Sequence, residues 1–365
     1  MTMISSIGVW LLGCVLVKQL TLAEELVAVT VLFRHGERAI ISSYPTDPYK
    51  NESFWPVPYG ELTNVGKNHH YRLGKWIRQR YTPFLSTEYL AEEFHIRSSN
   101  FDRCLMSAAS NLAGLFPPVG DQVWNHELNW QPIPIHTIPN KMDGMLALQK
   151  PCPEYQRQLD ELLNTDYYQK IHTVNSKLYA YLTAKTGLQI KDFIGASDLY
   201  DTLLVEDEAN YTLPEWTHSV YPEMLREQAI IRFQYDTPNM EAAKFGVGQV
   251  FDRILEQFEA RINGTKVPKF SALSAHDTNV FSILNTLKRP QTEMVPYAGM
   301  VIFELKRTAD NKYYVNFFYK KSGDAELLTI DGCEQNCDYE KFKAIMKPLA
   351  LNEEEYDRQC SIKQS

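Results

Sequence analysis

The apolar run Leu26-Val-Ala-Val-Thr-Val-Leu-Phe33 leads directly into the polar sequence Arg34-His-Gly-Glu-Arg38. Its apolar and β-branched residues predict a strand that is buried on both faces, as in a parallel sheet covered by helices. Two further strands are predicted to end in polar loops: residues 93–98 lead into 99–103, and 270–275 lead into 276–279. Ligands of open α/β sheets bind beyond the carboxyl ends of the strands. We therefore expect the three loops to meet at one edge, provided that the strands are parallel neighbours.

The rest of the chain predicts an α/β fold in which a mostly parallel central sheet is flanked by helices. Apolar and basic residues at helical spacing predict an amphipathic helix over 66–81. Residues 298–305 and 312–320 predict a β-hairpin. From 129 to 246, a proline-rich opening is followed by helical periodicity. This change predicts a helical cap inserted into an α/β catalytic core that comprises residues 24–128 and 247–365.

Composition and charge limit the class of protein. The 365 residues are 44% hydrophobic and 22% charged, which is typical of a globular chain. A net charge of −8 at pH 7 argues against a broad basic face for nucleic acid. It does not exclude an anionic substrate, because a local cluster of arginines overrides the net sign.

The N-terminal residues predict a targeting segment. Residues 4–17 are almost entirely apolar, and the stretch 21–23 suits cleavage, so a signal peptide is expected over residues 1–23. Three sequons, at Asn51, Asn210 and Asn263, fit the glycosylation of a secreted chain. The C-terminal residues are polar and contain no second apolar segment. We therefore expect a secreted, extracellular glycoprotein without a membrane anchor.

Cleavage would remove Cys14, and the remaining cysteines allow two disulfides and one free thiol in an oxidising compartment. Cys333 and Cys337 lie in a turn-rich loop where a local disulfide could close. Cys152 and Cys360 would then tie down the C-terminal tail. A metal site at Cys333 and Cys337 is the alternative, although no histidine follows within reach. The adjacent His69 and His70 lack ligand spacing, and we expect them to be solvent-facing or hydrogen-bonded.

The three polar loops combine cationic, nucleophilic and acidic side chains. Three arginines offer planar paired donors that suit a compact multivalent anion such as phosphate: Arg34, Arg38 and Arg103. Anion binding alone does not require the imidazoles of His35 and His276 or the carboxyl of Asp277. These groups indicate turnover, because an imidazole can attack phosphorus and a carboxylic acid can protonate the departing oxygen. Nearby guanidiniums would keep the imidazole unprotonated at acidic pH.

The same residues carry a resemblance to a known family. Arg34-His-Gly-Glu-Arg38 resembles the R-H-G-x-R-x-P opening of the histidine acid phosphatases. Further similar stretches are Tyr44-Pro-Thr-Asp-Pro48, Gly60-Glu-Leu-Thr-Asn-Val-Gly66, Ile96-Arg-Ser-Ser-Asn-Phe-Asp-Arg-Cys-Leu-Met-Ser-Ala108 and Ser274-Ala-His-Asp-Thr278. The resemblance covers about residues 24–360 and is strongest to the secreted prostatic-type and insect venom acid phosphatases. It implies a phosphoglycerate-mutase-like α/β fold with a helical cap, and no metal or other cofactor.

The resemblance also implies a role for each residue of the site. His35 would be the nucleophile and would pass through a phosphohistidine, and Asp277 would be the proton donor. The phosphate would be held by four side chains: Arg34, Arg38, Arg103 and His276. The implied activity is that of an acid phosphatase, a hydrolase of phosphoric monoesters.

Two departures from the family pattern bear on this interpretation. Ile40 stands where the motif has proline, so the loop after Arg38 loses a fixed φ. A third disulfide of the prostatic-type relatives has no counterpart, because Met300 and the stretch around Leu203 fall where its cysteines would be. Cys104, at a predicted helix start, is expected to be buried and unpaired.

Two other functions stay open. An inositol-polyphosphate phosphatase would need additional basic residues around the cap, and the net charge of −8 shows no such surplus. A secreted binding protein or allergen with impaired catalysis is the second alternative, for which Ile40 is the only sign. The expected partners are small phosphomonoesters and phosphoproteins rather than nucleic acid, and a homodimer is left open.

Overall fold

The computed structural model describes residues 24–361, so the signal peptide predicted over 1–23 lies outside the described residues. The strands are β1 (Glu25–Arg34), β2 (Phe94–Ser98), β3 (Phe270–Ala275), β4 (Met300–Arg307), β5 (Tyr313–Lys320), β6 (Glu326–Leu328) and β7 (Cys337–Asp338). The helices are α1 (Asn64–Arg80), α2 (Asp102–Leu115), α3 (Pro153–Leu163), α4 (Asp166–Thr186), α5 (Phe193–Glu208), α6 (Glu223–Tyr235), α7 (Met240–Ile262), α8 (Asp277–Thr286), α9 (Tyr339–Met346) and α10 (Glu353–Cys360). Short 3₁₀ turns lie at Glu52–Phe54, Gly120–Gln122, Asn140–Met142 and Glu215–Ser219.

The strands form one sheet in the order β2-β3-β1-β4-β5-β6, with β7 also paired to β5. The three strands that carry the polar loops are parallel neighbours, because β3 lies between β2 and β1 and runs parallel to both. This confirms the α/β class and the condition under which the loops meet. The sheet as a whole is mixed rather than mostly parallel. Its other half is antiparallel because the predicted hairpin, β4 and β5, pairs with the free edge of β1.

Strand β1 is buried on both faces, as its sequence predicts. Val31 and Phe33 contribute to a cluster with apolar side chains of α1 and α2, such as Leu73. Leu32 points to the other face and belongs to a cluster that includes Phe251 of α7. Since successive side chains of a strand alternate between faces, β1 packs against helices on both sides of the sheet. This packing holds the carboxyl end of β1 in place.

Residues between the two parts of the predicted core carry the helices α3 to α6, which we call the α3–α6 segment (153–235). Its own apolar cluster is formed mainly by α4, α5 and α6. The predicted boundary at 246/247 falls inside α7, a continuous helix that packs on the sheet. The division into a catalytic core and a cap domain stays a prediction.

Within residues 24–361, two disulfides are present with the expected pairing. Cys152–Cys360 joins the start of α3 to the end of α10, and Cys333–Cys337 closes the loop before β7. The latter two sulfurs are bonded to each other, which argues against the metal-site alternative. Cys104 is a free, buried thiol, as expected.

Candidate active site

The three polar loops meet where β1, β2 and β3 end. The backbone N–H of His35, after β1, donates to the carbonyl oxygen of Ala275 at the end of β3 (3.0 Å). The N–H of Ser99, after β2, donates to the carbonyl of Ser274 (3.0 Å). Neighbouring parallel strands therefore bring together loops that are far apart in the sequence.

His35 is fixed as a neutral imidazole with one free nitrogen. Its Nδ1 lies 2.8 Å from the carbonyl oxygen of Gly36, and because a carbonyl only accepts, Nδ1 carries the proton and donates. The Nε2 atom is thereby left with its lone pair. Burial, together with the positive charges of Arg34 and Arg103, holds the pKa of His35 well below its ordinary value.

The loop that follows His35 is held by close backbone contacts. A Cβ atom on Gly36 would lie 2.6 Å from the carbonyl oxygen of Gly66 in α1, a distance that no side chain tolerates. The N–H of Gly36 donates to Oγ of Ser107 in α2 (3.0 Å). His70 of α1 donates from Nε2 to the carbonyl of Arg34 (3.1 Å). Glycine thus lets both helices reach the loop and fix the position of the imidazole.

The two histidines of α1 support this loop rather than face solvent alone. His70 is fully buried beneath it, and Nδ1 of His69 lies 2.9 Å from a carboxylate oxygen of Glu37. Hydrogen bonding was one of the two outcomes expected for this pair, and the structure shows it for both.

The three arginines approach the site from separate elements. Arg34 pairs with Asp277 (2.9 Å) and also donates to the carbonyl of Val295. Arg38 pairs with Asp201, and Arg103 lies over the ring of Phe101 (4.6 Å from the centroid). In each guanidinium the Nε atom is buried and has no hydrogen-bond partner among residues 24–361. Buried donors without partners are costly, so these three Nε atoms are polar groups that the described residues leave unsatisfied.

His276 and Asp277 begin α8 directly after β3. Nε2 of His276 lies 3.0 Å from Oγ of Ser99, and its ring meets the His35 ring edge to face (5.6 Å between centroids). Burial and the charge of Arg103 lower the pKa of His276 to about 3, so it is neutral. Burial alone would raise the pKa of Asp277, but Arg34 and Arg38 outweigh this effect and lower it.

All six predicted site residues therefore lie at one edge of the sheet: Arg34, His35, Arg38, Arg103, His276 and Asp277. Two neighbours were missed by the sequence interpretation. Asp201 of α5 contacts Arg38, and Tyr297 lies against Arg34 with its ring centroid 3.9 Å from the guanidinium carbon. The Tyr297 hydroxyl is buried without a partner among the described residues. Neither residue belongs to a recognisable local motif, so the sequence alone contained no signal for them.

Ile40, in place of the family's proline, is accommodated without opening the loop. Its side chain is fully buried in a cluster with Ala39, Trp55 and Val205. Its carbonyl accepts from the N–H of Gly60 (2.8 Å). Packing and a backbone hydrogen bond therefore hold the segment that proline would stiffen.

Residues 25–320 match the family model described as histidine phosphatase superfamily (branch 2). The chain belongs to this superfamily. The match covers β1 through β5, and hence every strand that positions the site.

This histidine phosphatase is similar to curated acid phosphatases over most of its length. It is 37% identical to the prostatic acid phosphatase of Homo sapiens over 338 residues, which cover 90% of this chain and 86% of that protein. It is 35% identical to the prostatic enzyme of Bos taurus over 348 residues (93% and 89%). Identity to the human lysosomal acid phosphatase is 33% over 348 residues (94% and 82%). Together with the family match, these relatives show that the chain is an acid phosphatase.

Solved structures of the same fold include bacterial phytases. The phytase of Hafnia alvei in complex with tartrate superposes with a TM-score of 0.66 at 16% identity, covering 93% of this chain and 99% of that one. The Citrobacter braakii phytase gives a TM-score of 0.65 at 16% identity (93% and 100%). At this identity the likeness shows the fold alone. None of the helices in residues 24–361 is both long and apolar enough to cross a bilayer.

Proposed function

We propose that this histidine phosphatase hydrolyses phosphate monoesters through a phosphohistidine formed on Nε2 of His35, and that it does so in an acidic extracellular setting. The observation that carries the proposal is the buried, unprotonated imidazole surrounded by three guanidiniums, with the Asp277 carboxyl paired to one of them. Fixed cations around a nucleophile suit phosphoryl transfer, which depends mainly on positioning and on stabilising charge.

In the first step the guanidiniums of Arg34, Arg38 and Arg103 bind the phosphoryl oxygens. Nε2 of His35 attacks phosphorus, so that the P–N bond forms while the bond to the ester oxygen breaks. The Nδ1–H bond to the Gly36 carbonyl orients the ring and stabilises the charge that develops on it. His276, being neutral, contributes a hydrogen bond rather than a charge.

Asp277 must carry a proton if it is to protonate the departing oxygen. Without an anion, Arg34 and Arg38 lower its pKa. A bound phosphate offsets the charge of both arginines, which raises the pKa of Asp277 and allows it to take a proton at acidic pH. After the alcohol leaves, the Asp277 carboxylate removes a proton from water as the water oxygen attacks phosphorus. The P–N bond breaks, which releases phosphate and free His35.

Labelling tests the covalent step. Protein quenched during turnover of a ³²P-labelled aryl phosphate should carry label on His35 that survives alkali and is lost in acid, as expected of a P–N bond. His35→Ala should abolish both label and turnover. His126→Ala, a change at an exposed histidine outside the site, should affect neither. Label that persists in His35→Ala, or that is lost in alkali and stable in acid, contradicts the mechanism.

Secretion and glycosylation are part of the same proposal. The three sequon asparagines, Asn51, Asn210 and Asn263, are exposed and therefore accessible to a glycan. The two disulfides suit an oxidising compartment. Expression in a eukaryotic secretory host should release the chain into the medium. Treatment of the secreted chain with an N-glycosidase should then lower its apparent mass. A chain that is retained in the cytosol at unmodified mass would contradict this part of the proposal.

A further inference from the structure

Asp201, in the α3–α6 segment, is a carboxylate that contacts a site arginine directly. Both of its oxygens accept from Nη2 of Arg38, at 2.7 and 2.9 Å. Only 3% of the Arg38 side chain is exposed, whereas 31% of the Asp201 side chain is. Burial works against the charged form of Arg38, but Asp201, together with Tyr297 and Asp277, raises the pKa of Arg38.

The other two guanidinium nitrogens of Arg38 make few hydrogen bonds. Nη1 lies 3.3 Å from the carbonyl oxygen of Ala39, a long contact, and Nε has no partner among the described residues. The two short contacts to Asp201 therefore set the direction of the guanidinium. A long side chain that is fixed before the substrate arrives loses less conformational freedom when it binds.

Helix α5 is docked on the catalytic loop by contacts that do not involve Asp201. Oγ1 of Thr202 donates to the carbonyl of Ser42 (3.0 Å). Val205 packs in the cluster that contains Ala39 and Ile40. Because these contacts remain when the carboxylate is removed, the effect of Asp201 on Arg38 can be separated from its effect on folding.

We propose that Asp201 is a positioning residue for the phosphatase reaction: it holds Arg38 through Nη2 so that the other guanidinium N–H groups face the phosphoryl oxygens. The proposal rests on the proposed function, since it assigns Arg38 to the phosphate. It also gives the α3–α6 segment a part in catalysis through its contact with Arg38.

The charge and the geometry of Asp201 have opposite effects on binding. Replacing Asp201 by Asn removes a negative charge beside the phosphate site, which favours the anion. The same change releases Arg38, which disfavours the transition state more than the ground state, because the transition state requires the fixed direction of the donors. We therefore expect Asp201→Asn to reduce kcat strongly and to change the affinity for inorganic phosphate little.

The test measures kcat and KM on an aryl phosphate and the Kd of inorganic phosphate by calorimetry. Asp201→Asn should lower kcat by about tenfold to a hundredfold, the usual effect of misplacing a stabilising donor, with the Kd of phosphate within about threefold. In an Arg38→Ala background the same substitution should change kcat less than about twofold. Asp201→Glu, which keeps the carboxylate, should recover part of the rate.

Asp207→Asn is the matched control on α5, because it removes a carboxylate that accepts from the Tyr221 hydroxyl (2.9 Å) and is not in contact with the site arginines. It should leave kcat within about twofold of the wild type. Equal losses from Asp201→Asn in the wild-type and Arg38→Ala backgrounds would overturn the proposal, as would an unchanged kcat. If Asp201→Asn does not fold, Asp201→Glu and its control Asp207→Glu are measured instead. A loss of kcat in Asp201→Glu that is equal in the wild-type and Arg38→Ala backgrounds would then overturn the proposal. Absence of label on wild-type His35 would instead refute the proposed covalent step, whereas the dependence of the Asp201→Asn loss in kcat on Arg38 would remain measurable in turnover.

Discussion

Glu206 of α5 is a fully buried carboxyl group that faces another carboxyl group. Neither of its oxygens has a hydrogen-bond donor among the described residues, and Asp47, itself only 2% exposed, is its charged neighbour. Asp47 accepts from Oγ of Ser43 and from the N–H of Tyr49, both at 2.6 Å. Burial, and then the charge of Asp47, raise the pKa of Glu206 from 4.5 to about 8.

The consequence is a loss of stability as the pH rises. The unfolded chain releases the Glu206 proton near pH 4.5 and the folded chain near pH 8, so between these values the folded state binds more protons. The free energy of unfolding therefore falls with increasing pH throughout this window. At about 1.4 kcal/mol for each unit of pKa, Glu206 lowers it by roughly 3 kcal/mol between pH 5 and pH 8.

Glu206→Gln keeps the shape of the protonated side chain and removes its titration. We expect the variant to match the wild type at pH 5 and to exceed it by roughly 3 kcal/mol at pH 8. Equilibrium urea unfolding at the two pH values measures the difference. Glu334→Gln, a change at an exposed glutamate, serves as the control and should leave the pH dependence of the wild type unaltered. The same fall in stability from pH 5 to pH 8 in Glu206→Gln and in the wild type would show that Glu206 does not cause it.

Three further predictions concern the site and the disulfides. Asp277→Asn should slow alkyl phosphates far more than activated aryl phosphates, whose leaving groups need little protonation; equal losses on both in steady-state assays would argue against a proton donor. Because the pKa of His35 lies well below its ordinary value, kcat/KM corrected for substrate ionisation should not fall between pH 7 and pH 5; an acid limb near pH 6.5 would contradict an unprotonated imidazole. Replacing both cysteines of Cys152–Cys360, which spans 208 residues, by alanine should lower the free energy of unfolding by roughly 5 kcal/mol, and the same change at Cys333–Cys337, which spans 4, by roughly 2 kcal/mol. Comparable losses in the two double variants, measured by urea unfolding, would show that loop closure is not the cause.

The parts of the fold that follow from local patterns were predictable. The apolar run before Arg34 predicted a strand buried on both faces, and β1 is one. The hairpin also formed near its predicted position, as β4 and β5. Its attachment to the open edge of β1 was not predictable, because the pairing of distant strands leaves no periodic mark in either sequence. That attachment is what makes the sheet mixed.

Local sequence patterns were enough to find the six residues that meet at the site and the strand ends that they follow, because alternation, burial and loop composition act over a few neighbouring residues. The side chains that hold those residues in place became visible only in the folded chain. Asp201 lies 163 positions from Arg38, and the Glu206 carboxyl meets Asp47 from another element altogether. The periodicity of α5 shows which of its residues share a face, but the surface that receives this face is chosen by the packing of the whole chain.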